Sequence, residues 1–222
     1  MTDGLDEQAS DYDLLLAWSR GDAAAGDLLV RRHYPGVFRF FDVKLTPVAE
    51  DLTQRTFLAC IENLGRLQKA DSFRAYLFGI ARNQLLLHLR QSSRLEARHR
   101  AFDGPEPKTS MSTVVARREE EHLLLMVLGS LPTDLRIAVE LFYWEDMRTS
   151  EIGRVLEIPA STVTSRLARA RELLRREVLE LGASPKVRDS LVANLEHFTR
   201  ALVQSSPCSP GSLSLKRSDG SR

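Results

Sequence analysis

Apolar residues recur every three or four positions along most of this 222-residue chain, and this spacing constrains the fold more than any other feature. Near the N-terminus, Leu14, Leu15 and Trp18 follow this spacing. Gly21 and Asp22 then separate this first helix from a second one. Because no stretch alternates apolar and polar residues as a half-buried strand would, the sequence predicts an all-α fold.

The remaining helices fall into two blocks. In the first block we predict a helix from Val48 to Asn63 and another from Ser72 to about Arg94, with Ser72 or, alternatively, Asp71 as the N-cap. Residues 99–113 hold turn-forming residues without periodicity, which indicates a flexible linker. The predicted organisation is two small helical domains, at residues 10–95 and 122–180, joined by a linker at residues 96–121. A C-terminal helix at residues 181–204 and a disordered, serine-rich tail at residues 205–222 follow.

The segment from about Thr149 to Arg176 has the pattern of a helix-turn-helix. A short helix, with Thr149 or Ser150 as its expected N-cap, is followed by a turn at residues 157–159. We expect Ser161 to cap the second helix. The predicted buried residues of that second helix are spaced four, three and four apart: Val163, Leu167, Ala170 and Leu174.

The opposite side of this second helix is suited to DNA. Ser161, Ser165 and Arg169 lie on the face away from the apolar stripe, at 100° per residue. Residues 160–176 carry five arginines against one glutamate. Small hydroxyl residues allow close approach to a major groove, and arginines reach base edges or phosphates. The predicted reading face therefore includes these three residues together with the flanking Thr162, Thr164 and Arg166.

Composition argues against other classes of protein. Cys60 and Cys208 belong to no cysteine or histidine cluster, and the five histidines lack paired metal spacing. We therefore expect no metal, no cofactor, no catalytic residues and no enzyme activity. The N-terminal residues are polar and acidic, and no apolar run reaches eighteen residues. The expectation is a cytoplasmic protein that does not insert into a membrane.

Two ordered blocks of the sequence resemble a known family. Leu131-Pro132, Phe142, Glu151-Ile152, Ile158-Pro159 and residues 162–171 are similar to region 4 of bacterial RNA polymerase sigma factors of the extracytoplasmic-function (ECF) type. Gly21-Asp22, residues 49–52, Gln54, Phe57, residues 72–77 and residues 80–83 resemble region 2 of the same family. The resemblance covers about residues 12–95 and 122–178.

This resemblance implies a reader of two promoter elements that works as a subunit of RNA polymerase. Its expected partners are the polymerase core, promoter DNA and, as a further candidate, an anti-sigma factor. Core binding would use Glu50, Asp51, Gln54 and Phe57. Reading and opening of the start-proximal (−10) element would use Lys69, Arg82, Asn83 and Arg90. The recognition helix would read the upstream (−35) element through Ser161, Thr162, Thr164, Ser165, Arg166 and Arg169.

The sequence also departs from the family pattern, and it leaves other functions open. Val48 and Arg55 replace usual acids, Leu87 replaces a common aspartate, and Thr164 replaces a usual lysine or arginine. These changes suggest a weaker acidic docking helix and an altered promoter preference. One alternative function is a dimeric helix-turn-helix regulator that acts without being a polymerase subunit. Another is a helical interaction protein, which would not need the basic reading face.

Overall fold

The computed structural model describes residues 9–63, 72–99 and 119–180, and every regular element within them is helical. This confirms the predicted all-α fold. A short 3₁₀ turn at Thr46–Val48 precedes the third helix. The α-helices of the described ranges are α1 Asp11–Ser19, α2 Ala23–Leu45, α3 Ala49–Glu62, α4 Phe73–His99, α5 Glu119–Ser130, α6 Thr133–Tyr143, α7 Thr149–Leu156 and α8 Ala160–Glu180.

Helices α1 to α4 form the first helical unit. Each helix packs on the next one along the chain. Phe40 lies edge-on to both Phe41 and Phe78, and all three rings are buried. The Asp22 carboxylate accepts hydrogen bonds from the first turn of α2, and the Ser72 hydroxyl accepts one from the backbone N–H of Ala75 at 3.3 Å. The predicted role of Ser72 as an N-cap is confirmed.

Helices α5 to α8 form the second unit, in which α8 packs on α5, α6 and α7. Its apolar stripe continues to Val178, which is also buried. The sequence predicted this stripe because the repeat of 3.6 residues is a local property. Every residue of the predicted stripe is buried: Val163, Leu167, Ala170 and Leu174.

The predicted caps of the helix-turn-helix were wrong. Helix α8 begins at Ala160, so Ser161 lies within its first turn, and the carbonyl of Pro159 accepts from the backbone N–H groups of residues 162 and 163. Thr149 and Ser150 likewise lie inside α7. The cap position is Arg148, whose backbone N–H donates to the Glu151 carboxylate at 3.1 Å.

The two units pack against each other through α4 and α7, and their buried apolar side chains form one continuous cluster. Their limits differ slightly from the prediction, since α4 continues to His99 and α5 begins at Glu119. Residues 96–99 and 119–121, assigned to the linker, are therefore helical. The rest of the predicted linker, the C-terminal helix at 181–204 and the tail at 205–222 lie outside the described residues.

Two further features concern thiol reactivity and membranes. Cys60 is buried on α3, and burial raises the pKa of its thiol to about 12. This thiol is therefore protonated at neutral pH and unreactive. Among the helices of the described ranges, none combines the length and apolar character needed to cross a bilayer.

Candidate nucleic-acid interface

A tight turn sets the angle between the two helices of the helix-turn-helix. Glu157 adopts a left-handed conformation with φ of 57°, and the backbone N–H of Ile158 donates to the carbonyl of Gly153 at 2.9 Å. A Cβ atom at position 153 would lie 2.7 Å from the Ile158 carbonyl oxygen. Glycine is therefore required here, because the turn must pass this close to α7 for α8 to project outward.

Helix α8 presents the predicted reading face to the surface. Ser161, Thr164, Ser165 and Arg169 are exposed, whereas Thr162 and Arg166 are half-buried. The hydroxyls of Thr164 and Ser165 each donate to the carbonyl four residues earlier, both at 3.2 Å. Each oxygen keeps its lone pairs for outside donors, such as the amino groups of adenine or cytosine. The face can thus both accept from bases and donate to them.

The arginines of α8 divide into different roles. Arg171 donates from Nε to the Tyr143 hydroxyl at 2.8 Å, and its guanidinium lies 6.0 Å from the centre of the Phe142 ring. It therefore fastens α8 to α6. Arg166 instead forms a 3.3 Å ion pair with Asp134 at the start of α6. Asp134 was not predicted from the sequence, because it precedes Arg166 by more than thirty positions and belongs to no motif.

A groove runs beside the recognition helix. It has a volume of about 370 Å³ and lies between the first turn of α6 and the first half of α8. Four of its residues belong to the predicted reading face. The structure thus brings four of the six predicted reading residues to one concave surface with Asp134 at its edge. The lining is formed by Pro132, Asp134, Leu135, Thr162, Ser165, Arg166 and Arg169.

A second polar stripe lies on α4, on the side away from the core. Asn83, Leu87 and Arg90 are exposed and follow one another at helical spacing. Arg82 is half-buried, and its Nε has no hydrogen-bond partner in the part of the chain that the structure describes. Lys69 and the loop before α4 lie outside the described residues.

The aromatic residues near the start of α4 belong to the interior. Phe73 and Phe78 are buried, and Tyr76 is partly buried against the core. All three rings therefore belong to the core of the first unit and not to a base-stacking surface. The exposed stripe therefore offers Asn83 and Arg90, but no aromatic ring, to DNA.

The expected docking helix α3 exposes its acidic residues. Glu50, Asp51 and Gln54 are all exposed on its outer side. Arg55 forms a two-point ion pair with Asp51, at 3.0 Å and 2.9 Å. This pair partly neutralises the Asp51 carboxylate. Arg55 therefore reduces the negative charge of this surface, as the sequence suggested.

Phe57 does not belong to this outer surface. Its side chain is only 7% exposed, and its ring stacks on Tyr34 of α2 at 6.2 Å between centroids. The expectation of a direct contact by Phe57 is corrected: it packs α3 against α2. Two apolar side chains that the sequence analysis did not select are exposed instead, Leu58 and Ile61 at 58% and 43%. Their exposure could not be read from the helical pattern alone, because it depends on which side α2 covers.

A buried charge cluster joins the two helical units. Lys44 of α2 pairs with Glu140 of α6, and their side chains are only 7% and 2% exposed. Arg136 donates from Nε to Glu140 at 2.9 Å and from Nη2 to the Val43 carbonyl at 2.8 Å. The pKa of Lys44 is lowered to about 8, chiefly by burial and also by the nearby Arg136 charge, while Glu140 partly offsets both effects.

A second set of polar contacts lies where α4 meets the helix-turn-helix. Glu145 accepts from Arg39 at 2.6 Å and lies close to Arg74. The Ser72 hydroxyl donates to Glu151 of α7 at 2.7 Å. Burial raises the pKa of Glu151, but the hydrogen bonds from Ser72 and the Arg148 backbone N–H, with two arginine charges, outweigh it and hold the pKa below its usual value.

Comparison with known proteins identifies the family. The sigma-70 region 2 model matches residues 29–95, and the sigma-70 region 4 model matches residues 121–174. The ECF RNA polymerase sigma factor SigC of Mycobacterium tuberculosis is 30% identical over 165 residues, which is 72% of this chain and 87% of that protein. The chain belongs to the ECF sigma factors. The sigma-H factor of Pseudomonas aeruginosa, 29% identical, aligns over 78% of this sigma factor and 96% of its own length.

Solved structures share the fold of this sigma factor. CnrH, determined in complex with the cytosolic domain of CnrY, has a TM-score of 0.55 and 26% identity, over 80% of this chain and 100% of that chain. The sigma factor RpoE of Bartonella quintana, in complex with the anti-sigma factor NepR, has a TM-score of 0.55 and 20% identity, over 69% of this chain and 96% of that chain. The second likeness shows the fold alone.

The relatives differ in length. The sigma factor spans about a third of a longer protein, the probable RNA polymerase sigma factor RfaY of Xanthomonas campestris, with 30% identity over 142 residues and 34% of that protein covered. The sigma factors named above are covered over most of their length. The family matches support a polymerase subunit and give no support to a free-standing dimeric regulator.

Proposed function

We propose that this sigma factor binds the polymerase core through α3 and directs initiation through two DNA-reading helices, α4 and α8. The observation that carries this proposal is the reading face of α8, where hydroxyls and arginines are exposed opposite a fully buried apolar stripe. A helix buried on both sides would not place arginine there. As a regulatory subunit it would have no catalytic activity, and it would act in the cytoplasm with the polymerase.

The outer side of α3 is proposed as the surface for the core. Glu50, Asp51 and Gln54 offer a polar, acidic rim suited to a basic partner. Leu58 and Ile61 are exposed one and two helical turns further on, and they add an apolar centre that the partner would cover. Phe57 supports this surface from beneath through its contact with Tyr34.

The exposed stripe of α4 is proposed to read the start-proximal element. Asn83 can pair bidentately with adenine, and the guanidinium of Arg90 suits a phosphate. The half-buried Arg82 would assist if its side chain turned outward, since its Nε forms no hydrogen bond with the described residues in its present position. Lys69 stays a candidate on the preceding loop, where opened bases would be held.

The compact arrangement is proposed to open when both elements are read. Elements centred about 25 base pairs apart lie about 85 Å apart at 3.4 Å per base pair. Helix α4 of 27 residues spans only about 40 Å, and α7 packs directly on it. The two reading helices must therefore separate, which breaks the contacts of Glu145 and Glu151 with the first unit. Since CnrH, which is 26% identical, has been solved with the cytosolic domain of CnrY, a comparable protein partner is proposed here too.

Run-off transcription with purified core polymerase tests the proposed function. The core alone, and the core with this chain, would be supplied with a library of promoter fragments. We expect start sites that depend on the added chain, and co-purification of the chain with the core. A chain that gives no specific start sites and does not co-purify with the core would contradict the proposal. Specific binding to duplex DNA by a dimer without polymerase would favour the regulator instead.

A further inference from the structure

A carboxylate stands at the edge of the groove that should receive DNA. Asp134 lies in the first turn of α6, and its Oδ2 is 3.3 Å from Nη1 of Arg166 on the recognition helix. The Asp134 side chain is 49% exposed and that of Arg166 is 28% exposed. Both line the groove together with Thr162, Ser165 and Arg169.

This position is electrostatically unfavourable for plain affinity. DNA binding depends strongly on neutralising phosphates, so a negative charge beside the reading face reduces attraction for every sequence. A carboxylate there gives an advantage only through a specific contact. Its partner in the structure is Arg166. This ion pair connects α6 and α8, which approach each other only in the folded state.

The pairing changes what Arg166 can do. A free arginine side chain has about 2 kcal/mol of rotamer entropy to lose on binding. Asp134 engages Nη1. Nε and Nη2 lie on another edge of the planar guanidinium and can donate to a base. A held, planar guanidinium with two parallel donors matches O6 and N7 of guanine in the major groove. An arginine that is not held could instead move to any nearby phosphate.

We propose that Asp134 is a positioning residue that holds Arg166 for reading one guanine of the upstream element. The proposal deepens the proposed function and rests on it. It has an unusual signature, because removing the Asp134 charge strengthens binding to DNA in general while weakening discrimination at a single base pair. Replacing a residue that only stabilised the fold would not produce this combination of stronger general binding and weaker discrimination.

The test uses the full chain in holoenzyme with core polymerase. It measures dissociation constants for a series of promoters in which each position of the upstream element is replaced in turn by each of the other base pairs. For Asp134→Asn we expect affinity for unrelated DNA to rise severalfold. At one G·C pair we expect discrimination to fall by about five- to a hundredfold, the range for a bidentate arginine–guanine contact. Arg166→Ala should lose discrimination at the same pair, and the double variant should lose no more than Arg166→Ala alone.

Two controls make the result specific. Glu172→Gln makes the same charge change at an exposed position of the recognition helix α8, and discrimination should stay as in the wild type. Replacing the guanine by 7-deazaguanine removes the N7 acceptor, and it should weaken the wild type far more than Asp134→Asn. Circular dichroism and the thermal midpoint of each variant would identify any loss of fold.

Distinct outcomes overturn the inference. If Asp134→Asn changes affinity equally for all promoter variants, the carboxylate acts only through its charge and holds nothing. If the two single variants lose discrimination at different base pairs, the ion pair is not a reading unit. If the wild-type holoenzyme itself shows no promoter preference, the proposed function fails first, and this inference fails with it.

Discussion

Glu140→Gln should weaken the joint between the two helical units. Glu140 is buried between Lys44 and Arg136, with 2% of its side chain exposed. Glutamine preserves the shape but removes the negative charge, which leaves two buried cations facing each other. Removing one partner of a buried ion pair typically lowers the free energy of unfolding by about 3–5 kcal/mol. Here the two cations respond differently, and the magnitude can be worked out for each.

Lys44 can avoid holding an unpaired buried charge by losing its proton. Its pKa is already lowered from 10.5 to about 8, which corresponds to a cost of about 3 kcal/mol at pH 7. A fully neutral Lys44 would cost about 5 kcal/mol at that pH. Deprotonation therefore limits the additional loss at Lys44 to about 1–2 kcal/mol.

Arg136 stays charged, because an arginine does not deprotonate in a protein. It keeps its hydrogen bond to the Val43 carbonyl, but its 2.9 Å contact at residue 140 no longer has a charged acceptor. A hydrogen bond to a charged group is worth about 1.5–3 kcal/mol. Together with the Lys44 contribution, the expected loss in the free energy of unfolding is about 3–5 kcal/mol.

The same variant should change the dependence of stability on pH. Between pH 8 and 10.5, folded Lys44 binds fewer protons than unfolded Lys44, so the free energy of unfolding rises with pH in this window. Without the attraction of Glu140, the folded pKa falls further. The rise should therefore begin below pH 8 in Glu140→Gln.

Urea denaturation followed by circular dichroism, repeated from pH 6 to 10, measures both effects. Small-angle scattering should accompany it, because the variant can also relieve the strain on its cations by separating the units. Glu62→Gln, an exposed glutamate at the end of α3, is the matched control. A loss below about 1 kcal/mol, with an unchanged pH profile and an unchanged radius of gyration, would refute the reasoning about this buried cluster.

Three further changes test the other surfaces. Arg169→Ala should weaken upstream-element binding by about 1–3 kcal/mol in holoenzyme titrations, and an unchanged promoter profile would contradict its placement on the reading face. Glu50→Lys combined with Asp51→Lys should abolish co-purification with the core while the circular dichroism spectrum stays unchanged; retained binding would exclude this surface. Gly153→Ala should lower the free energy of unfolding by about 1–3 kcal/mol, because its Cβ would lie 2.7 Å from the Ile158 carbonyl oxygen, and unaltered stability would show that the turn can relax.

Local patterns made the helices and the reading face predictable. The apolar spacing of α8 determines which side is buried, and the remaining sides follow from helical geometry. The exposure of Ser161, Ser165 and Arg169 therefore needed no tertiary information. The cap assignments failed because several neighbouring residues could fill each position, and the Pro159 carbonyl was available in place of Ser161.

Contacts between distant residues could not be predicted in this way. The sequence places Phe57 on an amphipathic helix, but the position of Tyr34 on α2 decides that it is buried while Leu58 is exposed. Arg166 and Arg171 look alike in the sequence. Asp134 engages one of them at the groove, and Tyr143 holds the other against α6.

The sequence by itself determined the helices, the helix-turn-helix and the family, because a repeat of 3.6 residues and a run of motif residues are properties of short segments. Only the tertiary structure decided how the two units meet. Lys44 and Glu140 are 96 positions apart, and nothing local to either residue pairs them. Their partnership depends on the free energy of burying both charges together, which exists only once α2 and α6 have packed.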